Sequence, residues 1–281
     1  MLAEIVALLA CPHCGRAMWL DDRTVRCPGG HAFDVARQGY VNLLPGNART
    51  GTADTAAMVT ARRTFLDAGH FAPMSAAVAV AAVVALTPPG AVLEVGAGTG
   101  HHLAAVLDAL PERVGLAVDL STYAARRAAR AHPRIGAIVA DAWSRLPVRD
   151  GAATLALSIF APRDGGELAR MLTPDGAAIV VTPTPAHLRG LVEALGLLTV
   201  DEEKPRRLAR ALERHLTLEA AEVHRHALTL DHAAVESIVT MGPSAHHVDA
   251  KQLRDRIAAL PLPVRTTVDV RIARYRRVPH A

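Results

Sequence analysis

The chain has 281 residues, 51% of them hydrophobic, and a formal net charge of +4 at pH 7, which leaves room for one large domain and a small one. The longest apolar run, Ala76 to Leu86, is too short to span a bilayer, and Met1 to Ala10 lacks the basic start of a secretory signal, so the expectation is a soluble cytoplasmic protein. Three cysteines cannot close in pairs, which excludes a disulfide scaffold.

The basic residues are nearly all arginine; Lys204 and Lys251 are the only lysines. Guanidinium forks fit phosphate geometry, so a polyanionic partner is one reading. A GC-rich codon bias, which raises Ala and Arg throughout, is the other.

All three cysteines fall near the start of the chain, as Cys11-Pro12-His13-Cys14 and Cys27-Pro28-Gly29-Gly30-His31. Cys-x2-Cys followed by Cys-x3-His supplies four ligands in two tight turns, the construction of a closed structural zinc site. His31 is expected as the fourth ligand in preference to His13. Arg16 to Arg26 would form the hairpin between the knuckles, with Trp19 and Val25 as its small apolar contact. So short a segment buries too little to fold unaided, which couples metal binding to folding.

Gly46 to Thr55 is polar and glycine-containing, a linker pattern. Ala57 to Ala68 and Met74 to Leu86 follow helical periods, the second stopped by Pro88-Pro89-Gly90. Then comes Ala91-Val92-Leu93-Glu94-Val95-Gly96-Ala97-Gly98-Thr99-Gly100. This pattern predicts a buried parallel strand, a glycine turn and a helix start at His101. The glycines let a ligand approach without meeting a Cβ. A dinucleotide fingerprint would place its third glycine at position 101, which holds His101. An acidic residue followed by Gly-x-Gly-x-Gly instead resembles motif I of S-adenosylmethionine-dependent methyltransferases.

Beyond the loop, strands and helices alternate. Val114 to Val118 ends at Asp119, Gly136 to Ala140 at Asp141, and Ala153 to Phe160 at Ala161-Pro162-Arg163; Ala177 to Thr182 is a further strand. The expected fold class is α/β, a Rossmann-like parallel sheet covered on both faces, with a small N-terminal zinc-binding domain. Ligands bind beyond the carboxyl ends of such strands. There Asp119 can accept hydrogen bonds from two ribose hydroxyls. Asp141, with Ala142, is placed for an adenine, and Glu94 to order the glycine loop or the amino-acid moiety. Either aspartate can instead be a helix N-cap. Helices over His187 to Leu198, Pro205 to Leu216, His232 to Met241 and Lys251 to Leu260 alternate with extended stretches over Ala221 to Leu230 and Val264 to Tyr275. The stretch Gly242-Pro243-Ser244-Ala245-His246-His247 is open between a lid and a polar loop.

The zinc knuckles, Gln38-Gly39-Tyr40-Val41-Asn42-Leu43-Leu44 and Ala61-Arg62-Arg63-Thr64-Phe65-Leu66-Asp67-Ala68-Gly69-His70-Phe71 together resemble the bacterial 23S rRNA guanine-N1 methyltransferases, in particular the Gram-positive branch with the tylosin and mycinamicin resistance enzymes. The resemblance implies a class I methyltransferase domain over residues 57–281, a linker over 46–56 and a zinc-ribbon-like RNA-recognition domain over 1–45. It implies Zn2+ on Cys11, Cys14, Cys27 and His31. For S-adenosylmethionine it implies contacts from Phe71, Gly98, Thr99 and His187, beside Glu94, Gly96, Gly100, Asp119 and Asp141. The implied partner is a domain II hairpin of 23S rRNA at the peptide exit tunnel, methylated to give macrolide resistance, and the implied assembly is a homodimer. RNA affinity is expected from Arg16, Arg23, Arg26, Arg37, Arg49, Arg62 and Arg63 as a cluster. No general base stands out: Asp164 and Glu167 are placed to be considered, but each reads first as a helix-start charge. A quinone- or sterol-type small-molecule methyltransferase and a non-catalytic zinc-ribbon RNA-binding protein are the rival readings.

Overall fold

The computed structural model describes residues 2–46, 48, 50, 51, 53–162, 164–197, 204–242 and 249–278. The chain opens with a short helix α1 (Leu2–Ile5) and a 3-10 turn (Val6–Leu8). Strands β1 (Trp19–Asp21), β2 (Thr24–Arg26) and β3 (Ala32–Asp34) follow, then β4 (Tyr40–Asn42) and helices α2 (Ala56–Asp67) and α3 (Ala72–Val84). Next come β5 (Ala91–Val95), α4 (His101–Ala109), β6 (Gly115–Asp119), α5 (Thr122–Ala128), β7 (Ile135–Val139), β8 (Ala153–Ile159), α6 (Gly165–Met171) and β9 (Leu172–Pro183). The C-terminal third holds α7 (Arg189–Leu195), α8 (Lys204–Glu213), β10 (Leu216–Leu230), α9 (His232–Thr240), α10 (Ala250–Ala258) and β11 (Val264–Arg277).

β1, β2 and β3 form a small antiparallel sheet, and the other eight strands form one sheet in the order β10-β11-β9-β8-β5-β6-β7-β4. β4 to β9 run parallel to one another, while β11 runs antiparallel to β9 and to β10. Every residue of β5, β7 and β8 is buried, as the near-continuous apolar runs require of strands covered on both faces. Local chemistry fixes the helix starts. The Thr55 hydroxyl accepts the Met58 amide at 3.3 Å, Ser121 accepts Ala124 at 3.3 Å, and Asp231 accepts Ala234 at 2.7 Å, satisfying amides that have no intrahelical partner.

The sheet separates two apolar layers. One gathers Phe71, Met74 and Val78 with Leu103, Val106 and Leu107 of α4 and residues of α7, α9 and α10. The other joins Leu93, Val95 and Leu116 of the sheet to Ile5, Leu9, Cys11, Met18, Val25 and Cys27. The zinc-ribbon segment therefore covers one face of the sheet. Gly136 of β7 carries no Cβ because one there would collide with Ile5.

β4, inside the first 45 residues, pairs in parallel with β7, and Leu9 and Val148 form a further bridge. A three-residue strand of ordinary composition gains its hydrogen bonds only from a sheet edge far away in sequence. Trp19, expected in the ribbon's apolar contact, is 45% exposed, whereas Val25 is fully buried. β9 starts five residues before the expected Ala177, where Leu172 pairs with Ala153 of β8, and β10 starts five before Ala221, because antiparallel pairing with β11 reaches back to Leu216. Arg49, Arg163, Leu198 and Pro243 to His247 lie outside the described residues. Among the described residues, no single helix is long and apolar enough to cross a membrane.

Candidate active site and metal centre

The central strand β5 has β6 on one side and β8 on the other, so successive connections leave in opposite directions at its carboxyl end. In parallel α/β sheets this opens a crevice for ligands. The glycine loop sits there. Gly96, Gly98 and Gly100 all have left-handed backbone, with φ of +69°, +54° and +76°, which L side chains resist. The space is also taken: a Cβ on Gly96 would collide with that of Ala161, and one on Gly98 would lie 3.0 Å from Nη1 of Arg62. Gly96 and Ala97 donate to the Val118 carbonyl at 2.8 and 3.0 Å, fastening the loop to β6.

Asp119, at the tip of β6, completes the loop. Its Oδ2 accepts the Gly98 amide and its Oδ1 the Ser121 amide, both at 2.8 Å. A carboxylate offers about four lone-pair sites, so two remain for a ligand. Burial raises the Asp119 pKa, against the hydrogen bonds from Ser121 and Gly98. Glu94, one strand over, is 1% exposed and its Oε2 has no partner. Burial above all pushes its pKa up to about 8; a backbone hydrogen bond at Leu103 opposes this and the Asp119 charge adds to it. An orphaned acid under a three-glycine cradle fits a ligand that brings its own cationic and hydroxyl groups.

The other expected residues are distributed unevenly. Thr99 is buried in the loop. Phe71 is 3% exposed, edge-on to Phe65 with ring centres 5.1 Å apart. His187 lies 6.5 Å from the Phe71 ring and 5.5 Å from that of Phe160. Its Nδ1 accepts the Asp269 amide at 3.2 Å, so the proton of the neutral ring is on Nε2, and burial lowers its pKa to about 4. Asp141 closes a local turn: Oδ1 accepts the Trp143 amide at 2.9 Å and Oδ2 the Ser144 hydroxyl at 3.4 Å.

Both acids weighed as bases are engaged elsewhere. Asp164 caps α6 by accepting the Glu167 amide at 2.8 Å. Glu167 is paired with Arg170 and accepts the Leu146 amide at 3.0 Å. Arg62, grouped by sequence with the RNA-binding arginines, is also committed. Its Nη1 pairs with Asp54 at 2.5 Å and its Nη2 donates to the Met241 carbonyl at 2.8 Å. Both ends of the linker-to-cleft contact are thus tied, since the Ser121 hydroxyl donates to the Asp54 carbonyl at 2.6 Å. Sequence reading also passed over His102, whose Nδ1 is 2.9 Å from the Ser75 hydroxyl and whose pKa burial lowers to about 3. Phe160, expected as the last residue of a strand, instead follows β8.

At the other end, Cys11, Cys14, Cys27 and His31 offer ligand atoms all within 4.8 Å of one another. Tetrahedral Zn–S bonds of about 2.3 Å and Zn–N bonds of about 2.0–2.1 Å give edges of roughly 3.5–3.8 Å. The observed separations are 3.6 Å from Cys14 to Cys27, 3.5 Å from Cys11 to His31 Nδ1 and 3.4 Å from Cys27 to the same nitrogen. The set fits one tetrahedral Zn2+. His13 is not one of the four: its ring packs between those of His31, at 4.8 Å, and Phe33, at 5.8 Å. Gly29 is bare because a Cβ would lie 3.1 Å from the Cys14 sulfur.

Fold and site together define a zinc-ribbon, class I S-adenosylmethionine-dependent methyltransferase. A family model described as "RlmA, N-terminal" matches residues 9–51, and one described as "Methyltransferase domain" matches residues 92–176. The chain belongs to the 23S rRNA (guanine-N1)-methyltransferase family. A relative of that name from Micromonospora griseorubida is 50% identical, over 99% of this chain and all of the relative. The 23S rRNA (guanine(748)-N(1))-methyltransferase of Streptomyces fradiae is 49% identical over 93% of this chain and 94% of that one. A Bacillus subtilis relative, also named as a 23S rRNA (guanine-N(1)-)-methyltransferase, is 29% identical over 90% of this chain and 91% of its own length.

Proposed function

We propose that the chain transfers a methyl group from S-adenosylmethionine to N1 of a guanine in the domain II hairpin of 23S rRNA, and so confers resistance to tylosin-type macrolides. The observation that carries this reading is the left-handed glycine trio fastened by Asp119, in a chain about half identical to relatives named for that reaction. When bound, the sulfonium donor supplies an electrophilic methyl group. Gly96, Gly98, Thr99 and Gly100 admit it, the free lone pairs of Asp119 take its ribose, Glu94 faces its amino-acid end, and Phe71, His187 and Asp141 complete the lining. Holding N1 against the methyl would supply acceleration through orientation; as the N1–C bond forms, the sulfonium C–S bond would break and the N1 proton would leave to water. The target is splayed from its loop, since pairing blocks N1.

Cys11, Cys14, Cys27 and His31 hold a structural Zn2+ that sets the ribbon of the first 45 residues as an RNA grip. Exposed Arg16, Arg23, Arg26 and Arg37 meet phosphates, and the linker over 46–56 joins this grip to the catalytic part. Homodimer formation and cytoplasmic action belong to the same reading and rest on the family resemblance. Tritiated donor incubated with unmodified 23S rRNA tests it: label should enter the RNA. Label confined to small metabolites would overturn it in favour of a small-molecule methyltransferase.

A further inference from the structure

Phe160, like Leu188 beside His187, has a backbone that a bulky side chain resists. It follows the last residue of β8 at the carboxyl end of the sheet, next to the strand that carries the glycine loop. Its φ is +53°, a left-handed conformation that is a true outlier for a bulky side chain and that concentrates at functional sites. Two contacts enforce it: the Phe160 amide donates to the Val181 carbonyl at 3.1 Å, and the next residue, Ala161, abuts the bare face of Gly96. The backbone is therefore pinned to the cofactor loop, and the ring is turned out of the core. It remains 39% exposed at the edge of an aromatic group formed with Phe71 (6.4 Å) and His187 (5.5 Å). Phe71 and His187 are held from behind; Phe160 is the most exposed of the three.

An exposed, rigidly held aromatic face beside a methyl-donor loop has an obvious partner in a nucleobase. A purine turned out of an RNA loop loses its stacking and recovers it on an aromatic side chain. We propose that Phe160 is the stacking platform for the target guanine, a substrate-positioning residue that presents N1 to the methyl-transfer site. The assignment rests on the methyltransferase reading above. It gives the strain at residue 160 a use: relaxing φ would swing the ring away from the glycine loop to which Ala161 ties it.

Variants at this position separate a stacking role from a packing role. Phe160→Leu keeps an apolar side chain and removes the π face; Phe160→Tyr and Phe160→Trp keep the face. Each is assayed for binding of S-adenosylhomocysteine by calorimetry, for melting temperature, and for single-turnover methylation of an unmodified 23S rRNA hairpin. The expected pattern is unchanged S-adenosylhomocysteine affinity and melting temperature throughout, methylation slowed about 10- to 100-fold in Phe160→Leu, and rescue to within about threefold in Tyr and Trp. Wild-type methylation in Phe160→Leu would overturn the assignment, as would failure of both aromatic variants to rescue. A parallel loss of cofactor binding would overturn it too, by placing Phe160 in the donor pocket. If the wild-type protein labels no RNA, the functional reading falls, and this assignment with it.

Discussion

The carboxylate of Asp119 accepts the backbone N–H of Gly98 at 2.8 Å, joining the tip of one parallel strand to the turn after its neighbour. The same side chain holds the Ser121 amide that opens α5. One residue thus shapes the glycine loop and keeps lone pairs spare, which in the proposed reading take the ribose of the donor. Asp119→Ala is expected to weaken S-adenosylhomocysteine binding about 10- to 100-fold, since hydrogen bonds to charged groups contribute about 1.5–3 kcal/mol each. Calorimetry on the purified variant checks this; unchanged affinity would remove Asp119 from the site.

Glu94 sets a pH dependence of the cofactor-free protein. Its folded pKa of about 8 stands above the ordinary 4.5, so the folded state binds the proton more tightly than the unfolded one. The stability this contributes is present at low pH and is lost as pH rises from about 4.5 to about 8, with a slope of at most about 1.4 kcal/mol per unit. His102 and His187, whose pKa values burial holds down, act below 6.5 and in the opposite sense. Burial raises the Cys27 thiol, but its hydrogen bonds hold it down to about 6, and it acts in the opposite sense over part of the same range, so the difference between wild type and Glu94→Gln isolates the glutamate. From pH 7 to 8 the urea midpoint of the wild type should fall relative to that of Glu94→Gln; parallel changes would mean that Glu94 is already ionised.

Removing zinc should not release the whole N-terminal segment. The ligand turns and β1–β3 depend on the metal, but β4 is hydrogen-bonded to β7. After chelation, hydrogen exchange should speed up over residues 11–34 while Tyr40–Asn42 stays protected with the large sheet. Uniform exchange over residues 11–42 would show that the ribbon and β4 open as one unit.

The arginines divide by what they already hold. Arg16 and Arg37 are exposed, while Arg23 donates to the Val35 carbonyl at 3.1 Å and Arg26 pairs with Asp21 at 2.8 Å, both at the exposed surface. Replacing Arg16, Arg23 and Arg26 by alanine should weaken hairpin binding and flatten its salt dependence, because each phosphate contact releases counterions. Cofactor affinity should stay constant. Arg62→Ala is expected to do the reverse, loosening the cradle at Gly98. Equal loss of both affinities in either variant would contradict this division of labour.

How far the sequence carried depended on how local each feature is. The zinc ligands and the glycine loop were legible because spacing alone brings Cys11, Cys14, Cys27 and His31 together and turns Gly96, Gly98 and Gly100. The buried strands were legible from their unbroken apolar runs. What sequence could not reveal was pairing across distance. Tyr40–Asn42 becomes a strand only against β7, and Ile5 finds its place only over Gly136. Arg62, one of two adjacent arginines, looked like a surface charge until Asp54 and Met241 came within reach. Phe160 read as the end of a strand, since a left-handed φ leaves no mark in composition.

The central claim is that a guanine N1 of 23S rRNA receives the methyl group, and primer extension tests it most directly, because a methyl on N1 blocks base pairing. Unmodified 23S rRNA treated with enzyme and S-adenosylmethionine should show one new stop, in the domain II hairpin, absent without donor and weakened with Asp119→Ala at limiting donor. Labelled RNA with no stop, or with stops scattered along the molecule, would contradict the account.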